Sequence, residues 1–506
     1  VTFTEIPWST ESGLPLLAVL QLLPLLAAAL VWVWRDASRL LQFGILAAGL
    51  ELLLAVWLYL LYDPTTVAMQ FAERAVLLGP LTYHAAVDGV SVLFVLLSAL
   101  LSLLVVVYGP VRGLKPTAPL FMAVFSVEAA LMSLFVSLNL LWFTLVSAIQ
   151  VGLIGYLLWR WATSPDSDGV LVSFYQFMGT GVALLLAGTL MLGWQHADAS
   201  SGLWSFDLFD LAAKPVAAPH QSVIFFLLFY GLAVRTPLFP LHGWLPTMAE
   251  HGNIAVAPSL LLGLKVGIYG LLRFVFPVVP EAVAYWSPFV VGFAVVGIFY
   301  AALLAMMQDN MRRLLAFAVV SHTGIVVIGL FSLSHIAFQG SVMLSVTFGL
   351  AIATLFFMTG LVYRRTRSTL LARMGGLFDH LPFVGIAFLV AGLAIMGMPG
   401  TPGFDSVHLV LEAAIDHYGA LLTIAAALGN VVAAGFLLWA FQRAFLGPLP
   451  EGVSSQAIER TSRAELLVAG LVLTVLLGAG FYSEPWIHLI DRPLAGLGQL
   501  YGNTDP

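Results

Sequence analysis

The sequence predicts an all-α integral membrane protein of about fourteen transmembrane helices, with two inverted five-helix repeats and broken helices at positions seven and twelve. Three observations predict it. Of 506 residues, 60% are hydrophobic and 9% charged, with a mean hydropathy of +1.00. A soluble domain carries about a quarter charged residues, and this chain has too few to cover a water-facing surface of its size. Apolar runs long enough to cross a bilayer, about 20 residues each as helix, recur fourteen times. Two of those runs are overlong and interrupted by proline.

The runs lie near 14–33, 41–62, 87–109, 117–137, 139–159, 170–193, 222–248, 255–276, 284–306, 313–333, 341–363, 384–418, 420–442 and 464–482. The first is long enough to span and lacks a basic flank before it, so it reads as a helix rather than a cleaved signal. The seventh breaks at Arg235-Thr-Pro-Leu-Phe-Pro240 and the twelfth at Gly397-Met-Pro-Gly-Thr-Pro-Gly403. The breaks stand five spans apart, as two tandem five-helix units would place them, and an odd number of helices inverts the second unit. The expected division is a three-helix segment at 1–110, transport units at 111–276 and 277–445, and a C-terminal helix and tail at 446–506. Paired interrupted helices point to transport sites. Their freed backbone groups must face protein or a wet cavity. The connection 194–221, with Asp198, Asp207 and Asp210, reads as an ordered cap or a partner contact, and 480–506 as a short tail.

Loop charges give the orientation. Alternate loops hold Arg35, Arg39, Arg112, Lys115, Arg160, Arg312, Arg313, Arg364, Arg365, Arg367, Arg373, Arg443, Arg460 and Arg463, while the opposite loops hold only Arg74, Lys214, Arg273 and Arg492. This bias places the basic loops in the cytoplasm and both termini on the non-cytoplasmic side. The chain has no cysteine, which excludes disulfides, thiolate ligands and iron–sulfur clusters. No haem-attachment motif or dinucleotide fingerprint is present. No cofactor, no metal site, no nucleic-acid partner and no catalytic centre of its own are therefore expected.

Two cations remain, Arg235 and Lys265, and both lie within apolar segments. Ionisable groups at membrane depth mark ion pathways. Lys265 is central in the run 256–276, too deep to snorkel to either surface. Glu128 comes thirteen residues after Lys115, about 15–20 Å deep. His322 comes nine residues after Arg313, again at mid-depth. Four ionisable groups from four helices at one level predict a lateral polar line that moves protons. Burial disfavours a charged amine, so Lys265 can release a proton at modest cost, and a nearby carboxylate reverses the preference. Histidine relays because its two nitrogens accept and donate. Arginine keeps its proton, so Arg235 is expected to supply a fixed field that tunes Glu128. His242 either joins the path or caps carbonyls freed at the first break. Asp405, His408 and Glu412, past the second break, form either an exit or an exposed loop.

At these residues the chain resembles the antiporter-like subunits of respiratory complex I, especially the M-type subunit, with relatives among the L-type, multi-subunit cation/proton antiporter and membrane-bound hydrogenase subunits. The matching stretches are Val87-Asp-Gly-Val-Ser-Val-Leu-Phe94, Pro240-Leu-His-Gly-Trp-Leu-Pro246, Leu264-Lys-Val-Gly-Ile-Tyr-Gly-Leu-Leu-Arg-Phe274, Asn310-Met-Arg-Arg-Leu-Leu-Ala-Phe317, Ser321-His-Thr-Gly324 and Gly397-Met-Pro-Gly-Thr401. The resemblance implies a bacterial-type inner membrane, other membrane and peripheral subunits as partners, and a place in an NADH:quinone oxidoreductase-like translocase. It implies Lys265 as the central lysine and His322 as its relay partner. It also marks departures. The family carries a lysine where Arg235 stands, a glutamate at Ala148 or Ile149 beside Gln150, and a glutamate or lysine at Val407, for which Asp405 or His408 would substitute. The resemblance extends to the membrane subunit of a proton-gradient-driven inorganic-carbon (CO2/bicarbonate) accumulation complex partnered with a soluble zinc protein. A structural membrane anchor with an inactive axis is the third reading.

Overall fold

The computed structural model describes residues 3–33, 37–163, 167–214, 216–252, 265–449 and 458–502. Ten helices among them are long and apolar enough to cross a bilayer alone. These are the second to sixth spans (Ala37–Leu61, Gly89–Arg112, Ala118–Val136, Leu140–Arg160 and Ser167–Ala199), the ninth to eleventh (Pro280–Met306, Met311–Leu330 and His335–Thr366), the thirteenth (Ala420–Phe441) and the fourteenth (Arg463–Phe481). The other four positions are described as shorter helices. Leu16–Val31 is the first span. The seventh is split into Ala218–Arg235 and Trp244–His251, and the twelfth into Pro382–Ile395 and Pro402–Tyr418. The eighth is described from Lys265 onward, through Val266–Gly270 to Val278, and the first half of its apolar run lies outside the described residues.

Buried helix starts need partners for their free amides. Asp88, Asn139, Asn310 and Ser334 supply them, accepting from the amides of Ser91, Trp142, Arg312 and Ala337. A capping box between Ser462 and Glu465 starts the fourteenth span. The fivefold spacing recurs in finer detail. A π-turn sits late in the eighth span at Leu271–Val275 and directly after the thirteenth at Gln442–Leu446. Asparagine caps open both the fifth and the tenth spans.

Each break is held by a donor from outside the broken backbone. Trp244 Nε1 donates to the Val234 carbonyl at 3.2 Å, and Asn430 Nδ2 of the thirteenth span donates to the Met396 carbonyl at 2.8 Å. The second break turns through Gly397 and Gly400, at φ of 71° and 87°, a region that glycine enters without steric cost. At the first break, a side chain on Gly267 would collide with Thr236 Oγ1 and the Leu232 carbonyl. Glycine there lets the Lys265 helix press against the broken one.

Three features depart from expectation. Strands Met69–Leu78 and Leu81–Val87 form an antiparallel hairpin at the Gly79-Pro80 turn, with Glu5–Pro7 added in parallel. The expected tail is a helix, Glu484–Gln499, strapped across the same face. There Gln339 Nε2 donates to Asp491 Oδ1 at 2.7 Å and Tyr501 Oη to the Phe276 carbonyl at 2.8 Å. Arg273, expected in a loop, is buried and paired with Asp88 at 2.7 Å. Within the connection 194–221, Asp207 starts the short helix Leu208–Ala213 and meets His84 of the hairpin at 2.5 Å, so this part caps the hairpin.

Candidate functional site

Four ionisable side chains lie deep among the spans: Glu128 and His322 are 0% exposed, Lys265 2% and Arg235 3%. The second and fourth spans run in the same direction from the arginine-rich face. A Cβ on Gly44 would touch the Phe121 ring at 3.4 Å. Glu51 and Glu128 each follow that contact by seven residues, about 10 Å along their helices, so the two carboxyls share one depth. They interact directly by charge. Neither carboxyl has a partner at full hydrogen-bonding geometry among the described residues, and the Ser102 hydroxyl stands beside Glu128. The sequence reading missed Glu51. The signal was there, since it stands twelve residues beyond Arg39, as Glu128 stands beyond Lys115.

The eighth span adjoins the fourth, tied by a 2.7 Å bond from Tyr269 Oη to the Phe135 carbonyl. Lys265 lies four residues below Tyr269 and Glu128 seven below Phe135, so their depths differ by about 5 Å. Lys265 Nζ donates to Thr323 Oγ1 at 2.9 Å, and Thr323 donates onward to the Val319 carbonyl. The hydrogen-bond partner of the lysine is Thr323, while the adjoining His322 keeps both ring nitrogens unpaired, its ring 5.1 Å from that of Phe348. His322 remains within electrostatic reach of Lys265.

Arg235 does not face Glu128. It ends the first half of the seventh span and donates to Gln150 Oε1 of the fifth. Ala148 and Ile149 point outward, whereas Ser147 and Gln150 point inward. His242 does not cap the break. It is enclosed by the rings of Phe239, Tyr300 and Phe317 at 5.5–6.3 Å, with Nδ1 unpaired. Past His322 the buried polar groups of the eleventh span are neutral: Gln339, Ser341, Ser345, Thr347, Thr354 and Thr359. Val407 is buried against Gly397. Asp405 is half-buried and accepts from Ser483 Oγ at 2.5 Å, while His408 is exposed and faces only Glu412 at 4.0 Å. His408 is thus not brought to the interior.

Two of the quoted motifs meet in a second buried cluster. Arg273 donates to Asp88 Oδ1 and to Ser91 Oγ at 3.0 Å, and Tyr269 completes the set. The Asn310-Met-Arg-Arg stretch is equally structural: Arg312 reaches Thr163 and the Glu250 carbonyl, and Arg313 pairs with Glu250 at 2.9 Å.

Residues 120–433 match a family model described as the transmembrane region of NADH:quinone oxidoreductase and Mrp antiporter subunits. The chain belongs to that family. Within the oxidoreductase/antiporter family it is 30% identical over 504 residues to NADH-quinone oxidoreductase subunit M of Pseudomonas aeruginosa, spanning 95% of this chain and 97% of that one. It is 28% identical over 432 residues to the Escherichia coli K12 subunit M, 84% of each chain. Its fold matches a chain of respiratory complex I from Thermus thermophilus with a TM-score of 0.87 at 28% identity, covering 96% of this chain and 100% of that one. A chain of the Mrp complex from a Dietzia species shares the fold at a TM-score of 0.82 and 19% identity, covering 96% and 98%. This oxidoreductase/antiporter family member is therefore an antiporter-like, multi-pass membrane protein. The matched region contains Glu128, Lys265 and His322, and Glu51 lies before it. These relatives give the inorganic-carbon reading no specific support.

Proposed function

We propose that the chain is the proton-conducting, antiporter-like subunit of a multi-subunit energy-coupling complex of the quinone-oxidoreductase or Mrp kind, in a bacterial-type inner membrane. The observation that carries this reading is the line of buried ionisable groups Glu51, Glu128, Lys265 and His322. Among the described residues both carboxyls and the imidazole lack a partner at full hydrogen-bonding geometry, and the amine meets a neutral hydroxyl. A group committed to packing is normally satisfied. Groups left unpaired at membrane depth are free to exchange a proton when their surroundings change. Two buried carboxyls cannot both carry charge at low cost, so the Glu51–Glu128 pair holds a proton that Lys265, on the adjoining span, can receive. Thr323 fixes the direction of the ammonium beside His322, and His322 passes the proton toward the hydroxyls of the eleventh span. Arg235 keeps its own proton and sets the field at the first break. The two five-helix units, 111–276 and 277–445, would each contribute one broken helix to the path, and the basic loops would face the cytoplasm with both termini outside. His242, enclosed by rings, would stand beside the line, and Asp405 with Ser483 would mark its far end.

Glutamine preserves the shape of a glutamate and cannot titrate. Glu128→Gln is therefore expected to lower proton flux in proteoliposomes containing the assembled complex, on the order of 100-fold if the step is a positioned proton transfer. Glu51→Gln is expected to lower it in the same direction. Unchanged flux in both variants, with assembly intact, would remove the carboxyl pair from the path.

A further inference from the structure

Arg235 is a fixed cation without a counter-charge among the described residues. Its guanidinium is 3% exposed, and Nε and Nη1 make no hydrogen bond among the described residues. No carboxylate among those residues acts on it. Glu128 is occupied elsewhere, facing Glu51 and Ser102. The stretch 253–264, outside the described residues, contains no Asp or Glu in its sequence. An unpaired buried charge is among the most costly features a protein can carry, and arginine does not escape by deprotonation.

The groups around it deepen the imbalance. A guanidinium only donates, so Gln150 must turn its oxygen toward Arg235, which leaves its amide NH2 facing away. Gln150 Nε2 is buried and unpaired. One turn earlier on the same face of the fifth span, Ser147 Oγ is 0% exposed and also unpaired. Two guanidinium nitrogens, an amide nitrogen and, one turn along the same buried face, a hydroxyl thus lack partners, and no carboxylate among the described residues acts on the guanidinium.

We propose that Arg235, Gln150 and Ser147 form a binding site for a small monovalent anion, of the size and charge of chloride or bicarbonate. The anion supplies the negative charge that no side chain provides at the first break. It accepts from Nε and Nη1 of Arg235, from Gln150 Nε2 and from Ser147 Oγ. Charge-assisted bonds of this kind are the strong ones. The inference stands apart from proton flux, because it concerns the charge balance of the folded chain.

Binding to the folded state alone raises thermal stability with ligand concentration. The full chain in nanodiscs, held at constant pH and ionic strength in gluconate, is titrated with chloride in one arm and bicarbonate in the other. A saturable upward shift in the unfolding midpoint is expected. A shift with both anions identifies a general monovalent-anion site, and a shift with bicarbonate at lower concentration identifies an oxyanion site. Arg235→Gln is expected to abolish the shift. Gln150→Glu builds the counter-charge into the chain. It is expected to unfold at higher temperature than the native chain in gluconate and to lose its response to anions, and it serves as the test if Arg235→Gln fails to fold. No saturable shift with either anion, the same shift in Arg235→Gln, or a full anion response in Gln150→Glu would overturn the proposal.

Discussion

Replacing Lys265 by alanine is expected to reduce proton flux in proteoliposomes on the order of 100-fold or more, while the subunit still assembles. The magnitude follows from removing the central titratable group of a relay, where each positioned proton transfer contributes roughly that much. The persistence of assembly follows from the contacts. Among the described residues Lys265 makes a single side-chain hydrogen bond, to Thr323, and Thr323 keeps its own bond to Val319 without it. No carboxylate would be stranded in the interior by the loss. The eighth span is instead held by Gly267 against the first break and by Tyr269 and Arg273 against the third and fourth spans. Normal flux in this variant would make the lysine a packing residue.

The second large effect concerns folding. Asp88→Ala or Arg273→Ala is expected to destabilise the subunit by about 3–5 kcal/mol, as removing one member of a buried ion pair does. Asp88 also caps the third span by accepting from the Ser91 amide at 2.9 Å. Arg273 lies in the π-turn of the eighth span, and its bond to Tyr269 at 3.2 Å continues through Tyr269 Oη to the Phe135 carbonyl. One cluster therefore locks the third, fourth and eighth spans in register and so sets the depth of Lys265 relative to Glu128. Unfolding of the single variants in micelles measures the loss. The double variant Asp88→Ala with Arg273→Ala is expected to lose less than the sum of the two singles, because the second change removes the charge that the first leaves unpaired. Strictly additive losses would show that the two residues act independently.

The fold was legible where lipid imposes the rule. Among the described residues each of the fourteen apolar runs contains a helical segment, since backbone groups in a bilayer must bond within their own helix. Both breaks fell at their proline and glycine clusters for the same reason. The hairpin 69–87 and the strap Glu484–Gln499 were hidden because both lie at the membrane face, where water relaxes that rule. Glu128, Lys265 and His322, singled out by residue counts, are buried, and Glu51 would have yielded to the same count from Arg39. Lateral pairing was less accessible. Which helix faces which decides that Arg235 meets Gln150 rather than Glu128, that Lys265 meets Thr323 rather than His322, and that His408 faces outward. A one-dimensional pattern gives the face of each helix but not its neighbour.

The most direct test of the central claim is proton flux through Lys265→Arg in proteoliposomes holding the assembled complex. Arginine retains the positive charge and the capacity to donate to Thr323, but it does not release its proton. If the lysine works by giving up and regaining a proton, this variant is expected to assemble normally and to conduct as poorly as Lys265→Ala. Flux close to that of the native chain would contradict the account, because a permanently charged side chain would then serve as well as the amine.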